Sequence, residues 1–393
     1  MSVQKGATAV VVHTGGPTPV INASLVGVIE EARKHSAIAH LLGARFGFDG
    51  VLKRQYFDLF NQEEEAIQAI ATTPSSALGT SRRELTASDL EGVLNELQLH
   101  KTRYLFVTGG NGSMETARQI QELALQQGRD LQVIGIPKTI DNDLLETHHT
   151  PGYGSAARFF ACAARDIGAD NKALPGQVEI IEVLGRNVGW LAAATSLARR
   201  DPDDAPHLIY FPERLLPLDR LLEDIDTVYR RLNRCVVAVC EGQLDEYREP
   251  FGADVRSGSR GSLAMNLAHR LAMLVSQRLR VRARSEKPGL LGRSNGAFQS
   301  PADLNDARLC GQQAVLAALD GHAGKMITLI CVSESPYVAK TGLAPLDKVA
   351  LKERLFPEGW QNKSGNDVTP DFQRFAEPLI GSIRAYEEFS LDD

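Results

Sequence analysis

The heptapeptide Pro137-Lys138-Thr139-Ile140-Asp141-Asn142-Asp143 brings one ammonium and two carboxylates together within six residues. An apolar run over residues 131–136 leads into it and reads as a buried strand. Pro137 has no N–H for a sheet ladder, so the chain must turn out of the sheet there. Carboxylates at i and i+2 in an irregular loop can diverge, one toward a substrate hydroxyl and one toward a metal ion. A lysine beside them suits a polyanionic substrate. Taken alone, the same residues would also make a solvated surface turn.

A second loop of the same kind lies just upstream. Gly109-Gly110-Asn111-Gly112-Ser113 follows the apolar run 104–107 and precedes residues 114–127, where Met114, Ala117, Ile120 and Ala124 share one helical face. The order is strand, glycine loop, helix. Glycines let backbone N–H groups approach a phosphate, and the helix N-terminus adds a favourable dipole. Glycine also serves tight turns for steric reasons alone. Two such loops in consecutive units carry more weight, because successive strand C-termini in an open parallel sheet face one crevice.

The elements that must position these loops repeat the pattern. Residues 7–13 predict a strand, Thr14-Gly15-Gly16-Pro17-Thr18-Pro19 a rigid turn and residues 22–34 a helix. Exposed Gly15 N–H is a phosphate contact in this arrangement, or the turn is merely tight. Residues 41–50 give a short strand and a glycine-rich bend, and residues 62–72 a helix. Ser75-Ser76-Ala77-Leu78-Gly79-Thr80-Ser81-Arg82-Arg83 carries small polar residues and a guanidinium pair, which suit a phosphate or a solvated face. Pro151-Gly152-Tyr153-Gly154 reads as a hinge into a helix over 156–167. Residues 178–184 are a strand, followed by Gly185-Arg186-Asn187-Val188-Gly189-Trp190 and a helix over 191–199. Residues 207–211 and 235–240 are strands, the second ending at Glu241-Gly242, and residues 218–232 are an amphipathic helix. Residues 245–259 are polar and predict a loop, 264–281 a helix and the start of a strand, 303–319 a helix and 325–331 the last strong strand.

With 393 residues the chain is too long for one ordinary core, and two lobes follow. A net charge of −6 argues against nucleic acid or a membrane surface as partner. No apolar run approaches the roughly 20 residues of a spanning helix. Met1-Ser2-Val3-Gln4-Lys5 shows no signal-peptide pattern. Five scattered cysteines have neither metal spacing nor a disulfide framework, so the expectation is reduced thiols in a cytoplasmic protein.

Gly-Gly-Asn-Gly-Ser followed by Pro-Lys-Thr-Ile-Asp-Asn-Asp resembles the active site of the 6-phosphofructokinase family, in particular the branch that includes pyrophosphate-dependent enzymes, and the likeness covers essentially the whole chain. It implies an α/β protein of two similar lobes, each a mostly parallel sheet flanked by helices, with the active site in the cleft. Residues 1–150 would carry the donor and catalytic loops. Residues 151–393 would carry the sugar-phosphate site, with a C-terminal segment returning toward the first lobe. The implied reaction moves a phosphoryl group to the 1-hydroxyl of D-fructose 6-phosphate, giving fructose 1,6-bisphosphate in glycolysis. Such transfer needs positioning, charge neutralisation and a base.

By the same resemblance, Asp141 is the base, and Lys138, Arg82 and Thr139 complete the catalytic set. Gly15, Gly110, Asn111, Gly112 and Ser113 face the donor. Thr139, Asp141, Gly185, Arg186, Glu241 and Arg293 hold the acceptor, and Asp143 with Asn111 holds Mg²⁺. A homodimer or homotetramer is implied. Four positions depart from the family pattern: Leu184 for Met, Gly292 for Gln, Asn111 for Asp, and Gln177 for an Arg that serves a neighbouring subunit's sugar phosphate.

The donor is read from two residues that disagree. An acid after Asn111 marks pyrophosphate use in the family, whereas Gly112 leaves room for ATP; Lys138 suits pyrophosphate. A steric and like-charge block is harder to evade than an extra cation is to tolerate, so this balance favours ATP, with pyrophosphate as the alternative. Two other classes are weaker. The diacylglycerol and NAD kinases share a glycine loop but lack the Pro-Lys-Thr-Ile-Asp-Asn-Asp segment. A silent regulatory subunit would be favoured by loss of Asp141, which is present.

Overall fold

The computed structural model describes residues 6–244 and 266–387. Its strands in chain order are β1 (Ala7–His13), β2 (Ile38–Ala44), β3 (Tyr56–Asp58), β4 (Thr102–Gly109), β5 (Gln132–Pro137) and β6 (Gln177–Val183). They continue as β7 (Leu208–Tyr210), β8 (Arg234–Cys240), β9 (Arg282–Glu286), β10 (Lys325–Glu334) and β11 (Tyr337–Pro345). Two sheets result, a seven-stranded one in the order β11-β10-β5-β4-β1-β2-β3 and a four-stranded one in the order β7-β8-β6-β9.

The central strands β1, β4 and β5 pair in parallel and are almost wholly buried. Strands covered by helices on both faces read as continuous apolar runs, which is why their sequence signal is strong. Register places His13 beside Thr108 and Gly109 beside Pro137. The three strands therefore end level, and their loops open side by side.

On one face of this sheet the helices Ile21–Ala32 and Pro301–Leu319 cross at very short range. A Cβ on Gly27 would stand 2.1 Å from the Arg308 carbonyl oxygen, and one on Gly311 would stand 2.0 Å from that of Ser24. Only glycine at both positions allows this approach. The other face is covered by the helices Ala87–Leu99 and Asn111–Gln126. The chain beyond residue 300 returns to this sheet: β10 pairs in parallel with β5, and β11 pairs antiparallel with β10 at the edge.

The four-stranded sheet is parallel throughout. Val183 of β6 lies level with Cys240 of β8, so the residues after each emerge together. Its core joins the helix Tyr153–Ala173 to an aromatic cluster of Trp190, Phe211, Phe356, Phe372 and Phe375.

Several local expectations need correction. The helix Ala87–Leu99 was not anticipated, although Thr86 and Asp89 form a reciprocal capping box at its start. The predicted helix over 191–199 divides into Trp190–Ala194 and a 3-10 turn Thr195–Ala198. The last strand runs on past residue 331 to Glu334 and folds back as β11. The loop predicted over residues 245–259 lies outside the described residues. Among the described residues no helix is long and apolar enough to cross a membrane. The cysteines there are free, with Cys162, Cys235, Cys240 and Cys310 buried and Cys331 partly so.

Candidate active site

Loop 138–152 leaves the end of β5 and is tied down on both sides. Lys138 N–H donates to the Gly109 carbonyl (3.1 Å), Thr139 N–H to that of Pro151 (3.2 Å), and Thr150 Oγ1 to that of Thr139 (3.0 Å). Asn142 takes a left-handed backbone at φ 57°, and its Oδ1 accepts from Thr150 N–H (3.0 Å). Asp141 N–H donates to Thr139 Oγ1 (3.1 Å). The carboxylates of Asp141 and Asp143 thus diverge from a backbone that the loop itself holds.

Lys138 is 3 % exposed, and its Nζ donates to the Gly16 carbonyl (2.7 Å). It stands 3.3 Å from where a Cβ on Gly15 would lie, and Gly15 has φ +80°. Any side chain there would be strained and would press on the ammonium. Arg293 Nη1 and Arg82 Nη2 lie 2.5 and 3.4 Å from a Cβ position on Gly16. The bare backbone at Gly15–Gly16 therefore lets Lys138, Arg82 and Arg293 converge. The local pattern alone does not separate Arg82 from Arg83, and the resemblance selects Arg82. Arg83 is committed to Asp49 (3.1 Å) and Asp89 (2.5 Å), whereas Arg82 faces the cluster.

In the second loop, Asn111 Nδ2 donates to Asp143 Oδ2 (2.8 Å). That leaves Asn111 Oδ1 and Asp143 Oδ1 buried without a protein partner. Two adjacent unpartnered oxygens fit Mg²⁺, which takes oxygen ligands and keeps several waters. Among the described residues no group of three His, Cys, Asp or Glu side chains could form a closed metal cage. Ser113 Oγ is hydrogen-bonded with Thr14 Oγ1, which joins the β1 and β4 loops. Gly110 caps the helix Asn111–Gln126. Gly112 is exposed, and nothing lies within 4 Å of a Cβ placed on it.

The second lobe presents Gly185, Arg186 and Glu241 across from these loops. Gly185 has φ +137° and Arg186 φ +53°, so the chain reverses sharply after β6. A Cβ on Gly242 would sit 1.6 Å from the Arg186 carbonyl oxygen, which couples the ends of β6 and β8. Arg293 lies in the short helix Leu291–Ser294. Gly292, where glutamine is usual in the resembling family, packs on Phe160, whose ring carbon is 2.5 Å from a Cβ position. Gln177 opens β6 at the end away from the Gly185 loop and is 1 % exposed. Its two side-chain polar atoms have no partner among the described residues.

Burial sets the charge states, and neighbouring charges modulate them. Burial pushes the Lys138 ammonium down to about 8; Asp141 and Asp143 oppose this while Arg293 and Arg82 add to it. Burial raises the Asp141 carboxyl, with Arg186, Lys138 and Arg293 pulling it back. Burial and then the Asp141 charge lift Asp143 to about 7. Glu241 is raised by burial and by Asp141. A groove that strains both its cations and its carboxylates is poised for a polyanion together with a metal ion.

Three participants were not legible in the sequence. His13 is fully buried beneath Lys138, bonded to Ser76 Oγ (2.8 Å), and held neutral by burial and the Lys138 charge, which press it down to about 3. Glu353 is exposed, and its charge raises both Asp141 and Asp143. Arg354 N–H donates to the Asp143 carbonyl (2.8 Å). Both reach the loop from more than 200 residues away in sequence, beyond any local pattern.

The family model described as Phosphofructokinase matches residues 8–318. The pyrophosphate–fructose 6-phosphate 1-phosphotransferase of Rhodospirillum rubrum is 38% identical over 381 residues, covering 95% of this chain and 94% of that protein. The protein of the same description from Xanthomonas campestris is 37% identical over 379 residues, covering 94% and 90%. The crystal structure of a pyrophosphate-dependent phosphofructokinase from Marinobacter aquaeolei superposes with a TM-score of 0.86 at 32% identity, covering 98% of this chain and 94% of that one.

Proposed function

The chain belongs to the phosphofructokinase family of phosphotransferases, and on that premise we propose that it phosphorylates the 1-hydroxyl of fructose 6-phosphate with pyrophosphate as donor. The observation that carries the donor is the near full-length similarity to the Rhodospirillum and Xanthomonas enzymes, whose names specify pyrophosphate. This reverses the balance drawn from Gly112 and Lys138 alone, which favoured ATP. The convergence of Lys138 and Arg82 on Gly15–Gly16 supports the reversal, since two cations held close together suit a short diphosphate.

In this reading Asp141 accepts the proton of the 1-hydroxyl, and its raised proton affinity suits it to do so near neutral pH. Lys138 and Arg82 take up charge on the transferring phosphoryl group, while Gly15, Gly110, Gly112 and Ser113 border the donor. Thr139 orients the reacting oxygens. Arg186 and Arg293 hold the sugar 6-phosphate, with Gly185 at the turn and Glu241 accepting from sugar hydroxyls. Asp143 and Asn111 would hold Mg²⁺, which supplies charge neutralisation to the donor oxygens when bound. We assign the donor side to residues 1–150 and the acceptor side to 151–393, with the C-terminal segment returning to the first lobe, in a homodimer or homotetramer.

Gly112 keeps ATP as a second reading, because the space beyond it is open. Steady-state turnover of fructose 6-phosphate with Mg²⁺ and either donor tests the choice. Higher kcat/KM with pyrophosphate supports the proposal, higher kcat/KM with ATP moves the donor to the second reading, and turnover with neither leaves a silent subunit.

A further inference from the structure

Arg354 makes three hydrogen bonds to the catalytic loop from outside it. Its backbone N–H donates to the Asp143 carbonyl (2.8 Å), and its Nη1 donates to the carbonyls of Thr147 (3.0 Å) and His148 (2.6 Å). Residues 143–148 are neither helix nor strand, and Glu146 sits at φ +63°. Irregular backbone must find partners for its carbonyls outside a ladder. Three of them find theirs in this one residue.

The other side of Arg354 faces the second lobe. Its carbonyl accepts from Trp190 Nε1 (3.0 Å), and its guanidinium carbon lies 4.4 Å from the centroid of the Trp190 ring and 5.9 Å from that of Phe375. Trp190 is fully buried and opens the helix that follows the Gly185–Arg186 turn. The metal-side loop of the first lobe and the acceptor-side loop of the second are thus referenced to the same residue.

We propose that Arg354 is a positioning residue for phosphoryl transfer, fixing the Asp141–Asp143 loop against the Gly185–Arg186 loop without touching the reacting groups. The inference rests on the reaction proposed above. Its leverage is geometric: Asp141 and Asp143 share the loop that Arg354 holds, and a displacement of about 1 Å at reacting groups costs on the order of 100-fold in rate. Bonds from a guanidinium to carbonyls are charge-assisted and stronger than neutral ones.

Two variants of the full chain test it. Arg354→Met keeps bulk against Trp190 but donates nothing from its side chain, and Arg354→Lys keeps one charged donor. In Arg354→Met, kcat should fall about 10–100-fold and the Mg²⁺ concentration for half-maximal rate should rise, while KM for fructose 6-phosphate moves less than about threefold. Arg354→Lys should recover part of the kcat. Amide hydrogen exchange gives a readout independent of turnover: residues 141–149 should exchange faster in Arg354→Met while residues 102–109 of β4 stay protected. A folded Arg354→Met with kcat within about twofold of wild type, or exchange raised evenly along the chain, overturns the proposal. If Arg354→Met does not fold, unchanged kcat and unchanged exchange in Arg354→Lys overturn it. If wild type turns over neither donor, the functional reading fails by itself, and the exchange measurement still decides whether Arg354 holds the loop.

Discussion

Lys138 shows how burial adds a consequence that residue type alone does not carry. The sequence places a cation beside two carboxylates, and the structure buries it against the Gly15–Gly16 backbone. That burial gives the pH dependence its shape. As the proposed base, Asp141 must be ionised to accept a proton, and its affinity is raised, so kcat/KM should fall as pH drops through that raised value. Lys138 must be protonated to bind phosphate, and it is held down at about 8, so kcat/KM should fall again as pH rises past it. A kcat/KM profile with no fall on the acid side and none as pH rises past about 8 would contradict both assignments. Gly112 is the complementary case. A Cβ there meets nothing, and an acid in the first turn of the helix Asn111–Gln126 suits its dipole, so Gly112→Asp should fold normally. A like charge about 4 Å from the α-phosphate, which ATP has and pyrophosphate lacks, costs several kcal/mol at an effective dielectric near 20. Gly112→Asp should therefore depress ATP turnover and spare pyrophosphate turnover. Equal change with both donors would show that the position does not select between them.

At the scale of elements, the strand–glycine loop–helix units were legible because each is local. The apolar run, the glycines and the helical face after Asn111 lie within 25 residues and need no tertiary knowledge. The choice of Arg82 over Arg83 came from the family resemblance and not from the local pattern, because its physical basis is the engagement of Arg83 by Asp49 and Asp89. β11 escaped notice because its residues alternate between partly buried and exposed on an edge, where the apolar signal is weak. The glycines of the two crossing helices also gave no local sign. Gly311→Ala should press on the Ser24 carbonyl and lower stability by about 1–3 kcal/mol, as overpacking does. An unchanged denaturant midpoint would mean that the helices can separate at no cost. In the second lobe, Arg293 sits in a short helix fixed by Gly292 against Phe160. Arg293→Ala should raise KM for fructose 6-phosphate more than KM for the donor, and steady-state kinetics with each substrate varied would check it. Equal effects on both would remove its acceptor role.

For the whole molecule, the ends of the parallel strands in two sheets, the larger one mixed at its edges, carry the candidate site residues. β1, β4 and β5 deliver the Gly15, Asn111 and Lys138–Asp143 loops, and β6 and β8 deliver Gly185–Arg186 and Glu241. The α/β class followed from the repeated units, but the residues that tie the lobes together did not. Glu353 and Arg354 look like ordinary charges of a polar tail until the fold brings them to the catalytic loop. Pyrophosphate-dependent phosphorylation of fructose 6-phosphate with Asp141 as base is the proposal on which the other residue roles depend. The most direct test compares wild type with Asp141→Asn for Mg²⁺-dependent formation of fructose 1,6-bisphosphate from pyrophosphate. Wild type should turn over, and Asp141→Asn should bind the sugar phosphate but lose roughly 10²–10⁴-fold in kcat. Near-normal turnover in Asp141→Asn, or no turnover with pyrophosphate in wild type, would contradict it.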